Sequence, residues 1–262
     1  MNRSAWNRFV KARERFRYET EELARLLPKL KIIQQKLADG RATNSRATDN
    51  RATKNSLYVV QTPVVYNSAL DDVTSDDEIK LILVADNPGR REQEAKNRRY
   101  LVGPSGKIAQ KFFRENPALG IDFFKNVIIL NKTPIHSPRT ADLRELCRIE
   151  EETGSRALAP ALEESQRTMA ALLLDFHEAL QTPVWIIGYS EMRRGGIFEV
   201  YTERLKSLYA DKKEMYKQIY FYRHFSMNQF TIDLKKQSLP EENTAKSLKR
   251  IGEEYRQRIL EG

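Results

Sequence analysis

Apolar positions change their spacing along the chain near residue 57. Before it, Leu23, Leu26, Leu27, Leu30 and Leu37 recur at the three-to-four spacing of a helix face, and Pro28 interrupts them. A proline inside a helical pattern removes a backbone donor and clashes with the preceding turn, so residues 5 to 38 are expected as a long helix, kinked or split there. Three polar pentads follow at 41 to 55, RATNS, RATDN and RATKN. They have no apolar face and are too few for a stacked repeat, so 41 to 56 reads as a low-complexity linker.

From 57 onward the apolar residues form short runs: LYVVQTPVVY (57–66), IKLILVA (79–85), VIILN (127–131), VWIIG (184–188) and IYFYR (219–223). These are strand-length and rich in β-branched and aromatic residues. Between the later runs the period returns to that of a helix, with Leu162, Met169, Leu172, Leu173 and Phe176 in 157–181 and Phe198, Tyr201, Leu205 and Leu208 in 196–209. Continuous apolar strands alternating with amphipathic helices predict an α/β fold, a mostly parallel central sheet flanked by helices on both faces. The expected organisation is a basic helical extension (1–40), the linker (41–56) and one α/β domain (57–262).

Composition adds to this picture at three points. The chain has 262 residues, 40% of them hydrophobic, enough for a sizeable core. Its net charge of +9 is uneven: residues 1 to 56 hold fourteen Lys and Arg against six Asp and Glu. That basicity suits either a nucleic-acid arm or a solvated tail. Cys147 is the single cysteine, which excludes an intrachain disulfide, a thiolate zinc site and a four-cysteine cluster, and implies a reducing compartment. The N-terminus lacks a signal-peptide core and no run of eighteen apolar residues occurs, so a cytoplasmic protein without membrane contact is expected.

Ligands of open parallel sheets bind outside the carboxyl ends of the strands. Here those ends carry Asp86-Asn87-Pro88-Gly89, Asn131-Lys132-Thr133-Pro134 and His224-Phe225-Ser226-Met227-Asn228. Carboxylate, amide, imidazole and hydroxyl groups therefore converge on one edge. Gly103-Pro104-Ser105-Gly106-Lys107 is not a P-loop, because Leu101 and Ile108 stand where that motif needs Gly and Ser or Thr. His136 and His177 read as structural hydrogen-bonders. Arg90-Arg91 and Arg98-Arg99 are a solvated face or a grip on a DNA backbone.

In this order the motifs resemble those of the uracil-DNA glycosylase superfamily over roughly residues 57 to 235, most closely its single-strand-selective branch. Ala85-Asp86-Asn87-Pro88-Gly89 is similar to the first motif, with Ala85 for its Gly. Tyr100-Leu101-Val102-Gly103-Pro104-Ser105-Gly106 looks like the Phe-Val-Gly stretch of the thermophile-type branch, without that branch's iron-sulfur cysteines. Asn131 to Ile135 and Val65-Tyr66-Asn67 fit the single-strand-selective pattern, and His224-Phe225-Ser226 matches His-Pro-Ser with Phe for Pro.

The resemblance implies a metal-independent, cofactor-free, monofunctional glycosylase that excises uracil or a related deaminated base from single- or double-stranded DNA as a monomer. Asn87, ahead of Asp86, would position the water. His224 would donate to the base oxygen and Asn131 would match one edge of uracil. Tyr100, in preference to Leu101, would stack on the base. Gly89, Gly103, Ser105, Ser226, Met227 and Asn228 would contact DNA. The departures at 85, 101 and 225 leave a second reading, a superfamily member that binds nucleic acid or nucleotides without cleaving. A third is cleavage of a free nucleoside.

Overall fold

The computed structural model describes residues 1–48 and 58–261. Helix α1 (Arg3–Leu26) opens with the Asn2 side chain accepting the Ala5 N–H at 2.9 Å, which satisfies one of the free donors of the first turn. It ends ahead of Pro28, and α2 (Leu30–Thr48) begins just beyond, so the proline splits the segment as expected. Helix α2 continues into the pentads as far as Thr48; the remainder of the expected linker, 49–56, lies outside the described residues.

The basic extension is not a free arm. One stripe of α1, Ala5, Phe9, Ala12, Phe16, Thr20 and Leu23, is buried, and so are Leu27, Leu30, Ile33 and Leu37. All but Ala5 and Thr20 join the same apolar core as the strands. The Phe9 ring lies 5.3 Å from Phe176, and Phe16 lies 5.1 Å from Tyr66. Leu26, off the stripe, is exposed. The arginines of the helix turn toward carboxylates of the later chain: Arg15 pairs with Asp175 at 2.7 Å, and Arg17 with Asp71 at 2.6 Å. The excess of Lys and Arg over residues 1 to 56 was legible, but the apolar stripe of the helices decides where the segment sits.

Four strands form one all-parallel sheet: β1 (Leu81–Ala85), β2 (Val127–Asn131), β3 (Val184–Ile187) and β4 (Ile219–Tyr222), in the order β2-β1-β3-β4. The expected first strand at 57–66 is corrected: the described part of that run has no regular structure beyond a lone antiparallel bridge from Val64 to Ile135. Pro63 and Pro134 supply no N–H to a ladder, which limits pairing to isolated bonds such as Val65 N–H to the Pro134 carbonyl.

Helix α3 (Pro104–Glu115) connects β1 to β2, and α4 (Asp142–Glu151) with α5 (Leu158–Leu180) leads to β3. Helices α6 (Glu199–Tyr209) and α7 (Lys213–Lys217) lead to β4, and α8 (Gln229–Gln237) and α9 (Thr244–Arg256) follow it. Right-handed crossovers with this strand order put α3 on one face and α5 and α6 on the other. The contacts agree. Trp185 of β3 meets Phe113 of α3 and Phe230 of α8, while Gly252 of α9 lies against Tyr220 and Tyr222 of β4. Helix α1 packs outside α5. The fold is thus α/β in three layers, and the chain direction reverses its progress across the sheet at β1.

Candidate functional site at the carboxyl edge of the sheet

Strand β1 ends at Ala85, in register with Asn131 at the end of β2. The next residue in each strand faces its neighbour: the Lys132 ammonium lies 2.6 Å from Asp86 Oδ1 and donates also to the Ile187 carbonyl at the end of β3, again at 2.6 Å. One cation therefore ties three strand ends together. Lys132 is fully buried, with the Phe198 ring 5.1 Å from its nitrogen. Burial lowers its pKa, and the adjacent Asp86 opposes that shift. The other Asp86 oxygen accepts from the Thr140 hydroxyl at 2.9 Å. Gly188 makes room for this carboxylate: it adopts φ +79°, and a Cβ there would come within 2.5 Å of Asp86 Oδ1. Asp86 is accordingly an ion-pair partner and not a free base.

Asn87 is held by its donor end. Its Nδ2 donates to the Ser137 hydroxyl at 2.8 Å and to the Ser137 carbonyl at 3.2 Å. The amide orientation follows from those partners and leaves Oδ1 as the end that can accept from water. Pro88 is anchored by its carbonyl, which accepts from His136 Nδ1 at 2.8 Å. Burial holds the His136 pKa down to about 4, so the ring is neutral and structural. His177 is likewise structural, between the Tyr209 hydroxyl (3.0 Å) and Gln218 (3.3 Å).

Asn131 differs from all of these. It is 1% exposed, and neither its Oδ1 nor its Nδ2 has a hydrogen-bond partner. Buried polar atoms are normally paired, and leaving one unpaired costs about 1–3 kcal/mol. Gln34 Oε1, Tyr201 Oη and Arg256 Nε are also unpaired, each as a single atom. Among the described residues Asn131 alone has both ends of a buried amide unsatisfied, and it stands at a strand end.

His224 follows β4. Its Nδ1 accepts the Ser226 N–H at 3.0 Å, which places the proton of the neutral ring on Nε2. Burial lowers its pKa; Asp86 opposes the shift and Lys132 reinforces it, so both charges act on the ring. Beyond it, Met227 (φ 51°) and Asn228 (φ 58°) lie in the left-handed region, and Met227 is 80% exposed. A bulky apolar side chain held outward on a strained backbone is uncommon away from functional sites.

Other expected contacts are corrected. Tyr100 is buried, its hydroxyl donates to the Val65 carbonyl at 2.6 Å, and its ring packs 6.4 Å from Phe16, so it belongs to the core and has no face for a base. Leu101 is buried too. It adopts φ 52°, and its carbonyl fills the space where a Cβ on Gly106 would be. The Gly89 N–H donates at 3.0 Å to Glu92 Oε2, and the N–H groups of Leu101 and Gly103 also bond to this carboxyl. A buried side chain therefore occupies the amides of Gly89 and Gly103 that were expected to meet phosphate. Ser105 is half-buried in the first turn of α3, and Ser226 is half-buried beside His224. Asn67 is a buried brace, donating at 2.8 Å to the Ile129 carbonyl. Of the arginine pairs, Arg99 bonds to Asp72 and Arg90 lies 4.8 Å from the Tyr58 ring.

Lys132, Thr140, Ser137 and Glu92 carry much of this geometry and were not singled out from the sequence. A lysine inside the apolar stretch 127–135 was the available signal for the first of them. A hollow of about 920 Å³ lies elsewhere, along α2 at Lys31, Ile32, Gln35 and Val59, so chemistry and not volume locates the site. Among the described residues no group of three or more His, Cys, Asp or Glu could hold a metal ion, and no helix is long and apolar enough to cross a membrane. No family model, curated protein or solved structure matches the chain.

Proposed function

We propose that the chain is a DNA glycosylase that hydrolyses the N-glycosidic bond of uracil, or a related deaminated base, after the nucleotide is flipped out of the stack. The observation that carries this reading is the buried, doubly unpaired amide of Asn131 at the carboxyl edge that also bears Asn87 and His224. An amide offers a donor beside an acceptor, and uracil presents an acceptor at O4 beside a donor at N3.

As the glycosidic bond breaks, its electron pair leaves with the base and positive charge builds on the sugar. His224 Nε2–H donates to the base oxygen that takes up the negative charge. Asn87 Oδ1 accepts from a water aligned with the sugar carbon; this water forms the new C–O bond and gives up a proton to the departing base anion. Asp86 is given no base role, because Lys132 and Thr140 each hold one of its oxygens. Met227, exposed beside His224, suits contact with bases or the gap left by the flipped nucleotide. DNA, single- or double-stranded, is the proposed partner of a monomeric enzyme.

The tie of Asp86 to Lys132 and Thr140 supports one second reading, a module that binds the base without cleaving it. Single- and double-stranded oligonucleotides carrying uracil, hypoxanthine or xanthine, incubated with the protein and chelator and then treated with alkali, separate the two. Breaks at the modified base are expected. Binding without breaks would select the module, and neither binding nor breaks would reject both readings.

A further inference from the structure

The proposed function gives Lys132 no part, yet it is the most completely enclosed charge at the edge. We propose that Lys132 is a positioning residue that assigns the roles of its neighbours: by taking Asp86 as its ion-pair partner it withdraws that carboxylate from His224, and so keeps the imidazole in the form that accepts from Ser226 and donates through Nε2. The proposal rests on the glycosylase reading for its consequence in catalysis, but the charge arrangement stands without it.

Three observations carry it. Lys132 Nζ is held by Asp86 and the Ile187 carbonyl and covered by Phe198, so its charge is fixed in place and poorly screened. Asp86 and Lys132 are the charges that act on His224 from the neighbouring strand ends, in opposite senses. Glu191, after β3, acts on Lys132, and Arg223, beside His224 in sequence, turns to Asp233 at 3.5 Å. Finally, the Ser226 N–H points at Nδ1. A protonated ring would set two donors against each other there, and it would have to turn away from the geometry that aims Nε2 at a base. Without Lys132, the half-buried Asp86 carboxylate would favour that protonated ring.

The test follows the three histidines of the chain by NMR through a pH titration in the wild type, Lys132→Met and Lys132→Gln; the glutamine can still donate to Asp86 and Ile187 without the charge. In both variants the His224 midpoint is expected to rise by about 1 pH unit or more, a tenfold change in the protonated-to-neutral ratio. In K132M/D86N, which removes both charges, it should return toward the wild type. The acid limb of the excision rate on uracil-containing DNA should move up with the midpoint in the single variants. A His224 midpoint that stays or falls in the folded single variants would overturn the proposal. Should K132M fail to fold, K132Q carries the same prediction. A wild type that makes no abasic sites would defeat the glycosylase reading alone, since the titration reads Lys132 directly.

Discussion

The ends of β1 and β2 lie side by side in register, and their polar groups are treated in opposite ways. After β1, the Asp86 carboxylate is held by Lys132 and Thr140, the Asn87 amino group by Ser137, the Pro88 carbonyl by His136 and the Gly89 amide by Glu92. At the end of β2, Asn131 is as deeply buried and has no partner at either end. A saturated loop keeps its shape without a ligand, and an amide left unpaired at a cost of a few kcal/mol is explained by a ligand that completes it. On the proposed reading the first motif is scaffold with one acceptor to spare, Asn87 Oδ1, while the second reads the base.

If that contrast holds, changes in the β1 loop should register in stability and changes around Asn131 in turnover. The largest effect expected is in the loop. Glu92 is buried beneath the Gly89, Leu101 and Gly103 amides, and desolvation pushes its pKa up to about 7 despite those bonds. Between the ordinary carboxylate pKa and about 7 the folded protein keeps a proton that the unfolded chain gives up. The stability from this group is therefore full below about pH 4.5 and lost as pH rises through 7, on the order of 3 kcal/mol in all. Glu92→Gln has no proton to lose, so its stability relative to wild type should climb by roughly that amount from pH 4.5 to 8 in urea titrations. Parallel stability curves would show that the carboxyl is not the internal anchor of the loop.

His224→Ala comes next. Loss of a donor to the departing base should slow single-turnover excision by about 10²-fold, equivalent to about 2.7 kcal/mol, with DNA affinity nearly unchanged. An unaltered rate would remove His224 from the reaction and leave Asn131 reading a base that other groups release.

The contrast between the paired β1 loop and the unpaired Asn131 was only partly legible in the sequence. Four of the five apolar runs became the strands, because continuous β-branched residues between turn signals leave few alternatives. The fifth failed at Pro63, where a missing donor outweighs apolar character. The strand-end rule brought Asp86, Asn87, Asn131 and His224 to one edge, yet it could not say which of them would already be spoken for. That depends on contacts across long separations: Lys132 reaching Asp86 and Ile187, Ser137 reaching Asn87, and Glu92 folding back onto Gly89 and Gly103. Tyr100 was misassigned for a similar reason. Its aromatic ring suited a base, but α1 supplies Phe16 and fills that role from within. The charge of residues 1 to 56 likewise suggested an arm or a solvated tail, where the stripe of Phe9, Phe16 and Leu23 packs into the core.

The most direct test of the central claim replaces Asn131 with Asp and measures excision of uracil and of cytosine together with stability. The variant keeps shape and volume, loses the donor to O4 and sets negative charge against it. Uracil excision should fall by roughly 10- to 200-fold. Cytosine presents a donor at the same position, so the preference for uracil should narrow, and the urea midpoint should fall, because a carboxylate replaces a neutral amide at a buried position. An equal loss on both bases, or full activity on uracil, would mean that Asn131 is a structural strand end and that the base is read elsewhere.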